Sequence, residues 1–295
     1  MYSAIARNKR NTWFILIGFV LFLGGVGLLA GWLAGNNWFI TAFVLIFAAG
    51  YATVQYFAAS REALALAGAF PVTREEAPRY YRLVENLCIT TGSPMPALYV
   101  VEDAAPNAFA TGRKPEEAAI TVTTGLFELM DDRELEGVLG HELGHIRNYD
   151  VRVSLVVFGL VVAVGLLADL LLRATFFGGG RRDGNNPAQL VFLLFGIVAA
   201  ILAPLLAGAV QAAISRQREY LADATSALTT RDPEGLASAL EKLQEHKQPL
   251  QRANTSMAHL WISDPLRPSF MSRLFSTHPP IPDRVARLHK IGGEF

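Results

Sequence analysis

The chain of 295 residues has a single cysteine, Cys88, which excludes an internal disulfide and any cysteine-based zinc site. It has no excess of either charge sign. With 26 basic and 26 acidic residues the formal net charge is zero, so no bulk electrostatic pull toward nucleic acid is implied. No P-loop, Gly-rich dinucleotide fingerprint, internal repeat or heptad array is present, which removes the usual signatures of nucleotide binding, solenoids and coiled coils. Charged residues make up only 18% of the chain against 52% hydrophobic, and the mean hydropathy is +0.29. Those values point to a membrane protein.

What is present is His141-Glu142-Leu143-Gly144-His145. On an α-helix, residues four apart share a face, so two imidazoles can converge on one metal ion. Glu142 then sits one step round the helix, beside the metal's open position. Two His ligands, a carboxylate base and a water on the fourth site are the parts of a zinc hydrolase. The surroundings predict a helix: Asp131 as N-cap with Glu134 three residues on, and Leu135, Val138, Leu139 and Ile146 along one apolar arc. Gly137, Gly140 and Gly144 fall on the opposite side. Each costs about 1 kcal/mol relative to Ala in a helix interior, so another element is expected to pack closely there.

Residues 1–11 carry Arg7, Lys9 and Arg10 and no acid, and Trp13 to Leu33 is uncharged and long enough to span a bilayer. Gly35-Asn36-Asn37 turns the chain, and Trp38 to Ala58 forms a second uncharged span. A secretory signal peptide is the competing reading of the first span. A retained hairpin is favoured because the second span follows at once without a small-residue cleavage site. The basic tail places the N-terminus in the cytoplasm, and the hairpin returns the chain there at Arg61. Gly27, Gly31 and Gly35 have small-xxx-small spacing for helix-on-helix packing. Farther on, 153–172 and 190–214 form a second hydrophobic hairpin, with Asp169 in its first limb and a kink expected at Pro204. Its loop holds Arg173, Arg181 and Arg182 on the side taken as external, against the positive-inside rule. A hairpin that dips into the membrane or packs on the protein stays open as the alternative.

Between the hairpins the composition is that of a soluble domain. Thr73 and Glu76 form a candidate capping box opening a helix to about Thr90, with Cys88 in its core face. Leu98 to Val101 and Ala119 to Thr123 read as strands. Pro106 to Gly112 reads as a short edge strand whose unpaired backbone could accept an extended peptide, or as an ordinary hairpin limb. After the second hairpin, Glu219 and Asp223 lie four apart on one helix face. Alone they would pass for a solvated face. Following a His-Glu-x-x-His, Glu219 can serve as third metal ligand, and Asp223 can accept the free N–H of a ligand imidazole. Asp232-Pro233 caps a helix to about Gln244 with Leu236, Leu240 and Leu243 as its buried stripe. His246 and His259 lack a partner at ligand spacing and read as surface residues, 261–276 reads as loop, and a short helix closes the chain at about Lys290.

HELGHIRNYD at 141–150, REYLADA at 218–224, PNAFATG at 106–112 and STHPPIPDRVARL at 276–288 together make the chain resemble the HtpX membrane metalloproteases, relatives of the CAAX prenyl proteases. The resemblance implies a mostly helical α+β, multi-pass membrane protein carrying a gluzincin peptidase domain with a small sheet. It implies one zinc per chain on His141, His145 and Glu219, with Glu142 as catalytic carboxylate and Asp223 supporting the ligands. It places Asn107, Ala108 and Phe109 on the strand that holds substrate, and makes His278 and Arg284 contacts of the transition state and cleft. The chain then divides into an N-terminal transmembrane hairpin (1–60), a first half of the peptidase domain with the zinc-motif helix (61–150), the second hairpin (151–214) and a second half with the third ligand (215–295).

The implied setting is the bacterial cytoplasmic membrane with a cytoplasmic active site. The implied substrates are misfolded or damaged membrane proteins, with other quality-control proteases of the membrane as possible partners and no nucleic acid. A prenyl-peptide protease would share the site but needs more spans than 295 residues readily hold. An intramembrane protease would place the motif in an apolar span, whereas Asp131, Asp132, Arg133, Glu134 and Glu136 precede it. A catalytically dead scaffold would not need Glu142.

Overall fold

The computed structural model describes residues 2–33, 35–160, 162, 216–252, 255–265 and 279–293. The chain divides into two units, one built from Met1–Lys9, Ser60–Leu155 and Gln211–Phe295, the other from Arg10–Ala59 and Val156–Val210.

The second of these contains most of α1 (Tyr2–Leu33) and the first part of α2 (Trp38–Ala67). Both helices hold segments long and apolar enough to cross a membrane, Ile5–Leu29 and Trp38–Ala67. Two glycines of the small-residue series do pack the helices together. A Cβ on Gly31 would meet the Asn37 carbonyl at 2.7 Å, one on Gly27 would meet Val44 at 2.9 Å, and Thr41 donates to the Gly27 carbonyl at 3.0 Å. Gly35 instead supplies the turn, at φ 79° beside Asn36 at φ 64°. Leu16, Phe19 and Leu23 pack on Ala48 and Ala52, with Val156 and Leu160 joining them, while Phe14, Phe39, Phe43 and Ile46 point outward. Of the expected second hairpin, 150–160 is helical (α6). The rest of it, including Asp169, Arg173, Arg181, Arg182 and Pro204, lies outside the described residues.

The first unit is built on a four-stranded sheet and the helices around it. The strands β1 (Phe70–Pro71), β2 (Ala97–Val101), β3 (Ala108–Thr111) and β4 (Ala119–Thr123) run in the order β1-β2-β4-β3. β2 and β4 are parallel, Leu98 opposite Ile120, and β3 is antiparallel to β4, Ala108 opposite Val122. The helices are α3 (Pro78–Thr91), α4 (Thr124–Leu129), α5 (Asp132–Arg147), α7 (Arg216–Thr230), α8 (Pro233–Glu245) and α9 (Ile281–Gly292). Tyr80, Val84 and Leu87 of α3 meet a core that includes Leu98, Ile120, Leu135, Val138 and Leu139, all buried. Each such side chain contributes roughly 1.5–3 kcal/mol by leaving water.

One boundary differs from the expectation. Thr73 and Glu76 do exchange the two capping hydrogen bonds, at 2.8 and 3.4 Å, but α3 begins only at Pro78. Proline disfavours helical backbone in the residue before it, and Ala77 sits at φ −133°, ψ 60°. The box therefore closes one isolated turn, Ala77 N–H to the Thr73 carbonyl at 3.0 Å.

The motif helix α5 starts as its sequence predicts. Asp131 accepts from Glu134 N–H at 2.9 Å while Glu134 accepts from Asp131 N–H at 3.0 Å. Its glycine face receives two other helices. A Cβ on Gly137 would lie 2.8 Å from the Leu236 backbone nitrogen of α8, and one on Gly144 would lie 3.4 Å from Ala222 Cα of α7. Ser226 of α7 donates to the Gly137 carbonyl at 2.6 Å. This close approach is what lets side chains of α5 and α7 share one site.

Candidate metal centre

α5 projects His141, Glu142 and His145, and α7 brings Glu219 and Asp223 to the same place. All except His145 are at most 3% exposed. The Nε2 atoms of His141 and His145 face each other at 3.1 Å. Glu219 stands 3.4 Å from His145 Nε2 and 3.7 Å from His141 Nε2. A tetrahedral ion held at about 2.05 Å by nitrogen and oxygen separates its ligand atoms by roughly 3.3 Å, close to the 3.1 Å between the rings and the 3.4 Å from His145 to Glu219 Oε1, while Oε2 makes the 3.7 Å contact to His141.

The outward nitrogens explain why a cation fits. His141 Nδ1 meets Asp223 Oδ1 at 2.9 Å, and His145 Nδ1 meets Asp150 Oδ2 at 3.1 Å. Hydrogen bonding of both Nδ1–H groups to carboxylates assigns the tautomer that leaves both Nε2 atoms as lone pairs. Two lone pairs and a carboxylate aimed at one point repel one another unless a positive charge lies between them. His141, His145 and Glu219 form the one group among the described residues whose ligand atoms come together in this way, within 4.8 Å.

The surrounding electrostatics follow from burial. It pushes His141 down to about 4, against the hydrogen bond its ring donates to Asp223. It pushes Glu142 up to about 7, against the charge of His145. Burial also opposes charge on His145, yet Glu219 and Asp150 hold that ring well above the ordinary histidine range, so a proton on Nε2 competes with a cation for the same lone pair. Asp223 would be raised by burial, but Arg284 brings it down to about 2.

Arg284, for which the resemblance implied a cleft contact, is fully buried behind His141. Its Nε and Nη2 donate to the two Asp223 oxygens at 2.9 and 2.6 Å, and Nη1 lies 3.8 Å from Glu219. It braces the acid that orients His141. His278 lies outside the described residues.

Two features of the site escape a reading of local spacing. Asp150 reaches back to His145 only because the chain turns sharply after α5, with Tyr149 at φ 60°. His259, read from the sequence as a surface residue, is half-buried beside the cluster, 3.2 Å from the Ser154 carbonyl. It lines a cavity of about 30 Å³ with His141, Glu142, His145 and Glu219. What brings it there is long-range pairing: Trp261 bridges Phe109, and Ile262 N–H donates to the Ala108 carbonyl at 2.9 Å. The outer edge of β3, which reads from the sequence as either an open edge or an ordinary hairpin limb, is thus occupied by the chain itself.

A buried carboxylate beside two imidazoles and a glutamate on paired helices is the equipment of a metallopeptidase. The comparisons agree. The profile of peptidase family M48 matches residues 74–292. A protein called protease HtpX homolog from Tropheryma whipplei (strain Twist) is 56% identical over all of both chains. Another from Streptococcus gordonii is 44% identical over 99% of this chain and 100% of that one. The crystal structure of S. mikatae Ste24p has the same fold, with TM-score 0.51 and 19% identity, across 95% of this chain and 64% of that one. The chain belongs to peptidase family M48 and is a membrane metalloprotease.

Proposed function

We propose that the chain is a zinc endopeptidase of the bacterial cytoplasmic membrane. It would bind one zinc on His141, His145 and Glu219 and cut misfolded or damaged membrane proteins at the cytoplasmic face. The observation that carries the reading is the pair of imidazole Nε2 atoms 3.1 Å apart with Glu219 beside both. The cytoplasmic placement rests on the basic residues Arg7, Lys9 and Arg10 and on the pair of candidate spans, Ile5–Leu29 and Trp38–Ala67, that precede the sheet. Other quality-control proteases of the membrane are the expected neighbours.

Bound among these residues, zinc supplies the Lewis acidity that makes a water nucleophilic at neutral pH. Glu142 accepts that water's proton on its carboxylate as the scissile carbonyl is attacked, then passes it to the departing amine. Asp223 and Asp150 hold the two rings in register, and Arg284 holds Asp223. Asn107, Ala108 and Phe109 would offer an extended peptide their strand edge once it displaces residues 261–263, and His278 would steady the oxyanion. Casein digestion by detergent-purified protein tests this, with chelator, zinc add-back and Glu142→Gln alongside. Cleavage that survives both chelation and the substitution sinks the proposal.

A further inference from the structure

The family profile begins at residue 74, yet a side chain far upstream reaches the metal centre. Asn8, at the start of α1, is 1% exposed. Its Nδ2 donates to the Asn148 carbonyl at 2.8 Å and to Asp150 Oδ1 at 2.7 Å. The other Asp150 oxygen takes the His145 ring at 3.1 Å. Between these two acceptors stands Tyr149 in the left-handed conformation, φ 60°, which side chains rarely adopt without outside support. Lys9 lies over the Tyr149 ring, 4.3 Å from its centroid, so neighbouring α1 residues grip all three residues of the turn. Arg218 Nε also faces Asp150, at 3.7 Å, a longer contact than the amide makes.

We infer that Asn8 is a positioning residue for the metal site: it fixes the Asp150 carboxylate, which fixes the His145 ring. The inference rests on the ligand set proposed above but not on peptide cleavage. Zinc dissociation constants measured by chelator competition on full-length protein in detergent test it. Asn8→Ala weakens zinc binding about tenfold, the low end for partners beyond the ligands. Asn8→Asp, of nearly equal volume but with a carboxylate set against Asp150, weakens it further, an ordering that loss of packing would not produce. Both effects vanish in an Asp150→Ala background. An affinity within about twofold of wild type for both variants, or equal losses with and without Asp150, overturns the inference.

A separate observation concerns the edge of β3. Three contacts join it to residues 261–263: the Phe109–Trp261 bridge, Ile262 N–H on the Ala108 carbonyl at 2.9 Å, and Asn107 exchanging side-chain bonds with Ser263 at 2.8 and 3.1 Å. The Trp261 ring packs on Phe109 with centroids 4.4 Å apart. These are the backbone and side-chain groups that the proposed function assigns to substrate. His259, Leu260 and Ile262 of the same stretch line the cavity beside the proposed zinc ligands.

The structure assigns residues 259–263 the part of an internal substrate mimic that keeps the enzyme latent until a peptide replaces it strand for strand. This deepens the endopeptidase reading and rests on it. Ile262→Pro and Ser263→Pro each delete one N–H that holds the segment and touch no proposed ligand or base. With one backbone bond removed, kcat/KM for a quenched hydrophobic peptide rises about fivefold, chiefly through KM, and zinc content is unchanged. Zinc-replete proline variants that cleave no faster than an active wild type overturn the mimic and leave the peptidase standing. Absence of cleavage in every zinc-loaded chain, wild type included, overturns both.

Discussion

The Asp223 carboxylate bonds the His141 ring, Oδ1 to Nδ1 at 2.9 Å, while the Arg284 guanidinium closes on both of its oxygens. One acid thus ties His141 on α5 to Arg284 on α9. Substituting Asp223→Ala frees the His141 ring to rotate and is expected to weaken zinc binding about 10- to 100-fold in chelator competition. Arg284→Ala leaves a buried carboxylate unpaired and should cost roughly 3–5 kcal/mol of stability along with zinc affinity. Were Arg284 a transition-state contact instead, Arg284→Lys would lower kcat with zinc affinity intact.

The proposed mechanism makes Glu142 the proton carrier and not a ligand. Glu142→Gln is expected to lower peptide cleavage by about 10²- to 10⁴-fold while zinc content stays at the wild-type level. Metal analysis on the same preparation separates this outcome from simple loss of the ion.

The glycine face of α5 makes a contrast testable by thermal unfolding. Gly137→Ala drives a methyl to within 2.9 Å of the Leu236 backbone and should cost about 1–3 kcal/mol. At Gly144 the same methyl meets Ala222 Cα at 3.4 Å, ordinary contact, so Gly144→Ala should be near neutral or gain up to about 1 kcal/mol of helix propensity. Equal effects at the two sites would contradict the packing described.

Glu134, 5% exposed, caps α5 and accepts from Lys242 and Ser238, both at 2.6 Å. Burial acts to raise its pKa, but these bonds outweigh it and the net shift is downward. A carboxylate depressed on folding contributes stability above its unfolded value of about 4.3 and loses it as pH falls through the folded value. Glu134→Ala should therefore lower Tm at about pH 7, and the gap to wild type should narrow below about pH 4. A gap that widens in acid would contradict the sign.

Much of this architecture is legible in local patterns. The α5 cap, the apolar arc, the glycine face and β4 emerge from spacing alone, because each depends on residues a few positions apart. The pairing of α7 with α5 was legible only as chemistry, through what a His-Glu-x-x-His lacks. Arg284, Asp150 and His259 were not legible as neighbours of their partners. Their places depend on a left-handed turn at Tyr149, on the docking of α9 and on a strand bridge from Trp261 to Phe109, none of which leaves a periodic trace. The late start of α3 was readable from Pro78, whose effect on Ala77 overrides the capping box.

Two imidazoles of α5 and one acid of α7 are proposed to hold a single cation. The most direct measurement is metal content, with X-ray absorption at the zinc edge, of full-length wild-type and Glu219→Ala protein purified without chelator. One zinc per chain with two histidine nitrogens and a carboxylate oxygen in the wild type, and a marked loss of zinc in Glu219→Ala, is the expected result. A wild-type chain that takes up no zinc when it is supplied, or a Glu219→Ala chain that keeps it with an unaltered edge spectrum, would contradict it.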